Sequence, residues 1–562
     1  MGRCIIRATD KQATRVILAA LANSAAVKLP HQSSGVKIYM NTVQTVFAAD
    51  ELIHKIIDLA PYGHIASPQV LSQLKAATSE LISVFKAEGR LDQHPAALAM
   101  NRSVDLHAGA AGACIQGRRV MVTGGAGCVG SHLIPLLAGL GAAEIAIVDI
   151  AEPAGGADVW VGSAHQTAYR VDIRDTEALD AVFAKVKPHV VFHLAGIREP
   201  GRAESVVRDA IETNVFGARN LIEACLAHGV EDAVYSSTGK CFAYISDHVY
   251  TGSKKLAEAQ WVLAARKSSS TRFRFTRFTH IMENGLVAHD IVQGLAAGLV
   301  GLHGPDRYFN IQNLRQATHL LLNALALAKT TPADGFWSAV DLGWPVNTLE
   351  LALYSISRSD APAAICFLGV PKGYDEAFFR GQFPWHGPAQ YHPLVNALEA
   401  PSGFGDSTGT MVGARVQPFS ESALQAALNR LTTSLHHTDI GMAGMKQALA
   451  DAVADLARSV FDAASLPLLI EILWSGAAPA WAGPNAGEAE RFCLLIGLLT
   501  DAVVIRMRDL PENAITAQDR DKLTDVCQTL SRLDKLAVQY QSLSDVLVPS
   551  ALLDSKGLAS SL

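Results

Sequence analysis

Residues 117–132 read GRRVMVTGGAGCVGSH, and this stretch decides the fold. The apolar run 120–122 predicts a buried strand, which leads into Gly124, Gly127 and Gly130 and then into an apolar helix. Glycine permits a tight strand-to-helix turn and lets the backbone approach a pyrophosphate, which the free N–H groups of a helix N-terminus attract. The stretch therefore predicts a dinucleotide site, although glycine-rich turns also occur without one.

A second apolar run, residues 145–150, predicts the next strand and places Asp149 about 20 residues after the last glycine. A carboxylate there accepts hydrogen bonds from the ribose hydroxyls of NAD and repels the 2′-phosphate of NADP. No arginine or lysine follows directly, since the next residues are Ile150, Ala151 and Glu152. The cofactor is therefore predicted to be NAD rather than NADP.

Short β-rich runs alternate with helical stretches between residues 117 and 400. This alternation predicts an α/β fold, a Rossmann-type doubly wound parallel sheet with helices on both faces. The runs, in chain order, are VMVTGG, IAIVDI, AYRVDI, HVVFHLAG, DAVYSST and RFRFTRF.

A helical N-terminal region is expected over residues 1–110. Ser67 and Pro68 form a typical helix start, and Gly89 is placed to end that helix. The segment 107–117 is rich in alanine and glycine and is expected to be a linker.

The NAD-binding domain is expected over residues 111–405, and a helical C-terminal domain over 415–562. Apolar residues with 3–4 spacing over 523–540 indicate either a coiled coil between subunits or packing within a helix bundle. We expect a homo-oligomer.

The composition is that of a soluble globular protein, since 49% of the 562 residues are hydrophobic and 18% are charged. A net charge of −6 argues against a nucleic-acid partner. The eight cysteines form no CxxC pair or zinc-type cluster, so no metal site is expected. No signal peptide and no membrane span are expected either, which together predict a cytoplasmic protein.

The residues predicted to carry the chemistry lie within 232–258. Tyr250 and Lys254 are spaced Y-x-x-x-K and fall on one face of a predicted helix. An ammonium beside a phenol lowers its pKa, so Tyr250 can take a proton from a sugar hydroxyl while a nicotinamide takes the hydride. Thr238 ends the preceding strand and can hydrogen-bond the same hydroxyl. The Y-x-x-x-K spacing is common by chance, and it becomes evidence for this chemistry because a glycine loop typical of nucleotide binding lies upstream.

This combination resembles the extended short-chain dehydrogenase/reductase superfamily, and most closely its polysaccharide-biosynthesis (CapD-like) nucleotide-sugar dehydratases and epimerases. The resemblance covers about half of the chain, from residue 95 to residue 385. The segments that carry it are Ser-Thr-Gly-Lys at 237–240, HLAGIR at 193–198, TNVFGARN at 213–220, GPDRYF at 304–309 and DLGWPV at 341–346.

The resemblance implies a Rossmann domain with a small substrate lobe, and a nucleoside diphosphate sugar, UDP-linked, as substrate. Thr238, Tyr250 and Lys254 would oxidise a ring carbon, and Lys240 would act as a base beside the resulting ketone. The expected cofactor-binding residues are Gly124, Gly127, Cys128, Val129, Gly130, Asp149, Asp172, Ile173, Leu194, Ala195, Gly196, Asn214, Tyr250 and Lys254.

Three residues are candidates for substrate binding. Arg198 and Arg307 would hold the diphosphate or the sugar, since planar guanidinium groups suit phosphate oxygens, and the alternative for each is a solvated surface charge. Thr279 and His280 replace the usual Gly-Asn of the family. His280 is therefore expected to act as an acid or base in the sugar pocket, or to contact or pack against the substrate.

One departure from the family bears on the reaction. Gly239 stands where the dehydratases have an aspartate, and a positioned general acid is worth about 10²–10⁴ in rate. Asp247 or a water is a possible substitute, and Cys241 is either catalytic or a buried bystander. The sequence leaves a dehydratase, an epimerase, a simple oxidoreductase and an inactive nucleotide-binding scaffold open.

Overall fold

The fold is described by a computed structural model. It covers residues 48–62, 67–151, 158–161, 164–284, 286–343, 345–385, 392–437, 439–511 and 515–547. The predictions that concern residues 1–47, Glu152 and Trp344 lie outside the described residues.

A ten-stranded sheet forms the centre of the described structure, and three two-stranded sheets accompany it. The strands are β1 Arg119–Thr123, β2 Glu144–Asp149, β3 Asp158–Val161, β4 Ala164–Arg170, β5 Val190–His193, β6 Asp232–Thr238, β7 Arg272–Phe278, β8 His280–Ile281, β9 Leu299–Leu302, β10 Tyr308–Phe309, β11 Ile311–Gln312, β12 Gly335–Ala339, β13 Val346–Asn347, β14 Ala364–Phe367, β15 Phe404–Gly405 and β16 Met411–Arg415.

The order of the large sheet is β15-β16-β12-β7-β6-β5-β1-β2-β4-β3. The seven strands from β12 to β4 pair in parallel, and β3, β15 and β16 add antiparallel edges. All six predicted strands are present, so the Rossmann-type prediction is confirmed. The antiparallel edges were not predicted.

Helices cover both faces of this sheet and form the flanking regions. Among the described residues, no helix is both long enough and apolar enough to cross a bilayer. Residues 48–59 are helical. The longer helices after them are Pro68–Ala87, Ala108–Ile115, Cys128–Gly139, Thr176–Val186, Ala218–Ala227, Val249–Lys267, Leu286–Ala297, Leu314–Ala326, Thr348–Ser357, Glu421–His436, Met442–Ala463, Leu466–Ala477, Cys493–Arg508, Ala517–Leu530 and Ala537–Leu547.

The N-terminal helices pack on the substrate lobe. Ser67 caps the helix Pro68–Ala87, and Gly89 adopts a φ of +73° just after it, as predicted. One face of this helix packs on β9 and β14, and Thr78 Oγ1 accepts a hydrogen bond from the Ile365 N–H at 3.1 Å. The N-terminal region thus supports the lobe that would hold the substrate.

The predicted linker at 107–117 is wrong, because the helix Ala108–Ile115 occupies it. Alanine has the highest helix propensity, and Ala111 and Ile115 lie one turn apart on the same face. Both side chains are fully buried in the core that includes Leu137. Tertiary burial therefore orders a segment whose composition suggested flexibility.

The C-terminal domain begins against the predicted catalytic helix. The helices Glu421–His436 and Met442–Ala463 pack on the helix Val249–Lys267. The contact is close at Gly252, where an added Cβ would lie 3.2 Å from Leu449. These helices therefore buttress the predicted catalytic helix from behind.

The apolar stripe over 523–540 does not form one continuous helix. Helix Ala517–Leu530 ends there, a 3₁₀ turn follows at Asp534–Leu536, and Ala537–Leu547 begins a second helix. Leu523, Val526 and Leu530 are buried in the C-terminal core. The stripe packs within a bundle, and the coiled-coil alternative is wrong.

Candidate active site

The glycine turn between β1 and the next helix is shaped so that side chains are excluded. Gly124 has a φ of +71°, and a Cβ there would lie 2.6 Å from the backbone nitrogen of Ala195. A Cβ on Gly130 would lie 2.5 Å from the Gly124 carbonyl oxygen. Gly127 caps the helix Cys128–Gly139 without any side-chain hydrogen bond, so its first N–H groups face outward for a ligand.

Asp149 ends β2 beside this turn, as predicted. Its carboxylate accepts hydrogen bonds from the N–H groups of Ala126 at 3.0 Å and Ala151 at 3.1 Å. The first of these bonds fixes the acid against the glycine turn. The predicted ribose-binding acid and the predicted pyrophosphate-binding turn are thereby joined.

Asp172 and Ile173 follow β4 and lie at the neighbouring edge. Arg174 forms an ion pair with Asp172 at 2.7 Å. Burial raises the pKa of Asp172, but the hydrogen bonds and charge of Arg174 lower it more, so the net pKa is below its ordinary value. Ile173 packs closely on Gly217, where an added Cβ would lie 2.7 Å from its Cδ1.

The segment after β5 is supported by Asn214. Its side-chain oxygen accepts from the Ile197 N–H at 2.8 Å, and its nitrogen donates to the Ile197 carbonyl and to Ser253 Oγ, both at 3.0 Å. Asn214 lies in a π-helical turn, Glu212–Gly217, and is buried. It therefore ties the loop after β5 to the helix that carries Tyr250.

Thr238, Tyr250 and Lys254 come together at the end of β6. Thr238 lies beside the Tyr250 phenol and acts to lower its pKa. Lys254 Nζ donates to the Ser236 carbonyl at 2.9 Å and lies 4.3 Å from the centre of the Tyr235 ring. Burial lowers the pKa of Lys254 to about 8.

The predicted lowering of the Tyr250 pKa is wrong for the protein alone. Burial raises this pKa to about 12, and the hydrogen bond with Thr238 and the charge of Arg198 counter the rise only in part. Lys254 donates to a backbone carbonyl and is itself destabilised as a cation by burial. Desolvation therefore outweighs the neighbouring positive charge at the phenol.

Lys240 lies at the same strand end and is paired with a residue that sequence reasoning missed. Its Nζ donates to Glu376 Oε2 at 2.8 Å. That carboxylate also accepts from Thr251 Oγ1 at 2.8 Å and from Ser246 Oγ. Glu376 is 136 positions away in sequence, outside every motif, so no local signal pointed to it.

The space beside Gly239 is filled. A Cβ on Gly239 would overlap Leu394 Cδ2, so an aspartate there requires the Leu394 side chain to move. Asp247 does not take its place, because its side chain is 77% exposed and is bound to His248. The hydrogen bond from His248 lowers the pKa of Asp247, so this carboxyl is ionised at neutral pH and has no proton to donate.

His248 is buried and lies between two carboxylates. It contacts Asp247 and Asp375, each at 2.9 Å. Burial lowers the pKa of His248, but the hydrogen bonds that it donates to Asp247 and Asp375 and the charge of Glu376 raise it more, so the net pKa is above its ordinary value. The imidazole fastens the loop of Asp375 and Glu376 to the start of the predicted catalytic helix.

Arg198 is the exposed cation of the site. Its charge lowers the pKa values of Cys128, Tyr250 and His280. Within the described ranges, its guanidinium forms no hydrogen bond or ion pair. It therefore lies among the glycine turn, the tyrosine and His280 with its donors available.

His280 and Arg307 occupy different places. His280 packs edge-on against Phe309, and burial followed by the charge of Arg198 lowers its pKa to about 4, so it is neutral at pH 7. Arg307 is exposed. Burial lowers the pKa of His303, and the charge of Arg307 lowers it further. Arg307 thus lies at the outer rim rather than with Tyr250.

Two further predictions concern motifs away from the tyrosine. β10 and β13 pair antiparallel, with Phe309 opposite Val346, so the segments 304–309 and 341–346 do meet.

Cys241 is fully buried, and burial raises its pKa to about 12. It is therefore the bystander thiol rather than a catalytic one.

Comparisons with known proteins agree with this geometry. A family described as polysaccharide biosynthesis protein matches residues 120–370. The chain is 27% identical over 248 residues to a probable polysaccharide biosynthesis protein, EpsC, of Bacillus subtilis, covering 42% of this chain and 40% of that protein. It is 37% identical over 138 residues to UDP-glucose 4-epimerase 2 of rice, Oryza sativa subsp. japonica, covering 22% and 32%. The chain spans between about a third and two thirds of the curated relatives it matches first.

Solved structures are also similar. Pen from Bacillus thuringiensis shares 18% identity, with a TM-score of 0.45, over 55% of this chain and 90% of that one. The UDP-glucose 4-epimerase of Thermus thermophilus, in complex with NAD, shares 25% identity, with a TM-score of 0.37, over 45% and 88%. The family match over residues 120–370 agrees with the motifs and confirms the predicted resemblance to the polysaccharide-biosynthesis (CapD-like) nucleotide-sugar epimerases and dehydratases.

Proposed function

We propose that this protein is an NAD-dependent epimerase of a UDP-linked sugar, which oxidises one ring carbon to a ketone and reduces it again. The observation that carries the proposal is the placement of Thr238 beside the Tyr250 phenol, together with a Gly239 whose neighbouring space is occupied by Leu394. The first suits oxidation and reduction. The second removes the acid that elimination of water requires.

The described residues fit a nicotinamide dinucleotide. Side chains at Gly124 and Gly130 would collide with backbone, so the turn offers bare N–H groups to a pyrophosphate. Asp149 lies beside that turn with a carboxylate suited to ribose hydroxyls, which favours NAD over NADP. When bound, the cofactor supplies a hydride acceptor that later returns the hydride.

The chain's own residues then handle the proton. Tyr250 accepts it from a sugar hydroxyl, and Thr238, which lies beside the phenol, hydrogen-bonds the same hydroxyl. The pKa of Tyr250, about 12 in the protein alone, has to fall for this step at neutral pH. Arg198 and Thr238 already act in that direction, and each further positive charge nearby adds to it.

Arg198 is the proposed diphosphate ligand. Its guanidinium is exposed near both the glycine turn and Tyr250 and has unused donors, and planar guanidinium groups bind phosphate oxygens in pairs. Because the whole chain carries a net charge of −6, a local cation must attract the dianionic substrate. His280, neutral at pH 7, contributes a hydrogen bond to the sugar rather than a charge.

The test is incubation of the purified chain with UDP-glucose and UDP-N-acetylglucosamine in heavy water. Chromatography separates epimers, and mass spectrometry reports water loss and deuterium uptake. A new isomer of unchanged formula supports the proposal. Loss of one water identifies a dehydratase instead, and deuterium beside the former ketone identifies epimerisation at a neighbouring carbon. Tyr250→Phe serves as the control for background conversion.

A further inference from the structure

A loop from the substrate lobe reaches the end of β6. It follows β14 and spans residues 368–379. Gly373 lies so close to the Pro200 carbonyl that a Cβ there would be 2.6 Å away, and its φ of +92° is a conformation that favours glycine. Asp375 then binds His248 at 2.9 Å. The loop is thus anchored at two points just before the next residue, Glu376.

Glu376 is held more completely than a surface acid. Its side chain is 5% exposed and accepts from one ammonium, that of Lys240, and from the hydroxyls of Ser246 and Thr251. A carboxylate removed from water needs such partners, because an unpaired buried charge is costly. The partners come from the strand end and the start of the catalytic helix, so the acid joins the lobe to both.

This carboxylate acts at the proposed reaction centre. Lys240 lies two residues after Thr238, and Thr251 is next to Tyr250. The negative charge of Glu376 is among the causes that raise the Tyr250 pKa. Its field therefore reaches the phenol that we propose takes the proton.

We infer that Glu376 is a positioning residue that fixes Lys240 as a hydrogen-bond donor to a substrate oxygen, and not as a base. In the pair, Lys240 Nζ donates to Glu376 Oε2, and two further N–H groups remain for a ligand. The nitrogen has no lone pair to offer while the ion pair persists. This inference rests on the proposed function, and it agrees with it, because an epimerase that returns a hydride to the same carbon needs no base beside the ketone.

The experiment compares Glu376→Gln with Asp375→Asn in the full chain. Both replace a loop carboxylate with its amide, but Asp375 binds His248 and Lys372 and leaves Lys240 alone. Each protein is treated briefly with acetic anhydride, and peptide mass spectrometry measures acetylation of Lys240 against Lys267. This readout needs no substrate.

Acetylation of Lys240 is expected to rise about tenfold in Glu376→Gln, the factor that loss of one charge-assisted hydrogen bond gives. Asp375→Asn is expected to leave it unchanged, and Glu376→Asp, which keeps the charge, to restore most of the protection. Equal acetylation in wild type and Glu376→Gln would overturn the inference. An equal rise in Lys240 acetylation in Asp375→Asn would also overturn the inference, since the loop would then protect Lys240 only by shielding it from the reagent.

Turnover supplies the second readout where a UDP-sugar is converted. Glu376→Gln is expected to lower kcat by about tenfold with little change in KM, and Asp375→Asn to leave kcat within about twofold. A rise in KM alone would assign Glu376 to substrate binding and refute the positioning role. If acetylation responds as expected but no sugar turns over, the ion-pair assignment stands and the proposed function fails.

Discussion

Replacing Arg277 with methionine should destabilise the protein strongly. Arg277 lies on β7, is 1% exposed, and joins two buried carboxylates. Its nitrogens lie 2.6 Å from Glu258 and 2.7 Å from Glu399, and a third bond reaches the Leu394 carbonyl at 3.0 Å. Glu258 belongs to the helix that carries Tyr250, so the loss would reach the proposed active site.

The magnitude follows from what the substitution leaves behind. Removing one partner of a buried ion pair costs about 3–5 kcal/mol, because the other charge stays buried without compensation. Here two carboxylates lose the same partner and then repel each other. We therefore expect Arg277→Met to lower the free energy of unfolding by at least about 3 kcal/mol, a large part of the roughly 5–15 kcal/mol of a typical domain.

Urea denaturation followed by circular dichroism measures this loss. Arg274, three residues earlier on the same strand, is the control, because it is buried but donates only to the carbonyls of Ala328 and Phe273. Arg274→Met is expected to cost about 1–3 kcal/mol. A loss in Arg277→Met no larger than that of Arg274→Met would refute the reasoning.

The pH dependence gives a second check. Burial raises the pKa of Glu258, but the charge and hydrogen bonds of Arg277 lower it below 4.5. A depressed carboxyl pKa stabilises the fold above the unfolded value and loses that contribution as pH falls through the folded value. The deficit of Arg277→Met should therefore shrink as the pH is lowered below about 4.5. A deficit that is constant with pH would mean lost packing, not lost charge pairing.

Three further predictions concern the site. Tyr250→Phe is expected to lower turnover by about 10²–10⁴ while circular dichroism stays unchanged, and undiminished turnover would contradict the proposed proton transfer. His248 has a raised pKa in the folded protein. The stabilisation that its charge gives the fold is therefore complete below about pH 6.5 and is lost as the pH rises through the folded-state pKa. The difference in melting temperature between wild type and His248→Gln should shrink from pH 6 to about pH 9. Gly239→Asp is expected to cost about 1–3 kcal/mol through its overlap with Leu394, and adding Leu394→Ala should recover most of that in urea denaturation.

Much of the fold could be predicted because its signals are local. The strand 272–278 was predicted with its observed bounds, since a short run rich in phenylalanine between helical stretches carries its own evidence. The helix after Ser67 was predicted from its cap and first proline. The prediction of a linker over 107–117 was wrong for the opposite reason. This segment is ordered because Ala111 and Ile115 are buried against residues distant in sequence, and amino-acid composition does not show such contacts.

The site divides in the same way. Thr238, Tyr250 and Lys254 were predicted because a strand end and one helix face bring them together within 17 residues of sequence. The direction of the Tyr250 pKa shift was predicted wrongly, because the spacing shows a nearby lysine but not the burial that outweighs it. Glu376 was missed because a loop from the other lobe delivers it, and a long-range contact leaves no spacing to read.

The departure at position 239 is explained by three residues taken together. Leu394 occupies the volume that an aspartate side chain would need, so an aspartate there requires Leu394 to move. The Lys240 ammonium, which loses an adjacent carboxylate through that replacement, is paired with Glu376 at 2.8 Å instead. An aspartate at 239 could donate a proton to a departing hydroxyl, whereas Glu376 has both oxygens occupied by donors from the protein. The exchange keeps the charge balance around Lys240 and gives up the acid, and that combination is the physical reason to expect epimerisation without loss of water.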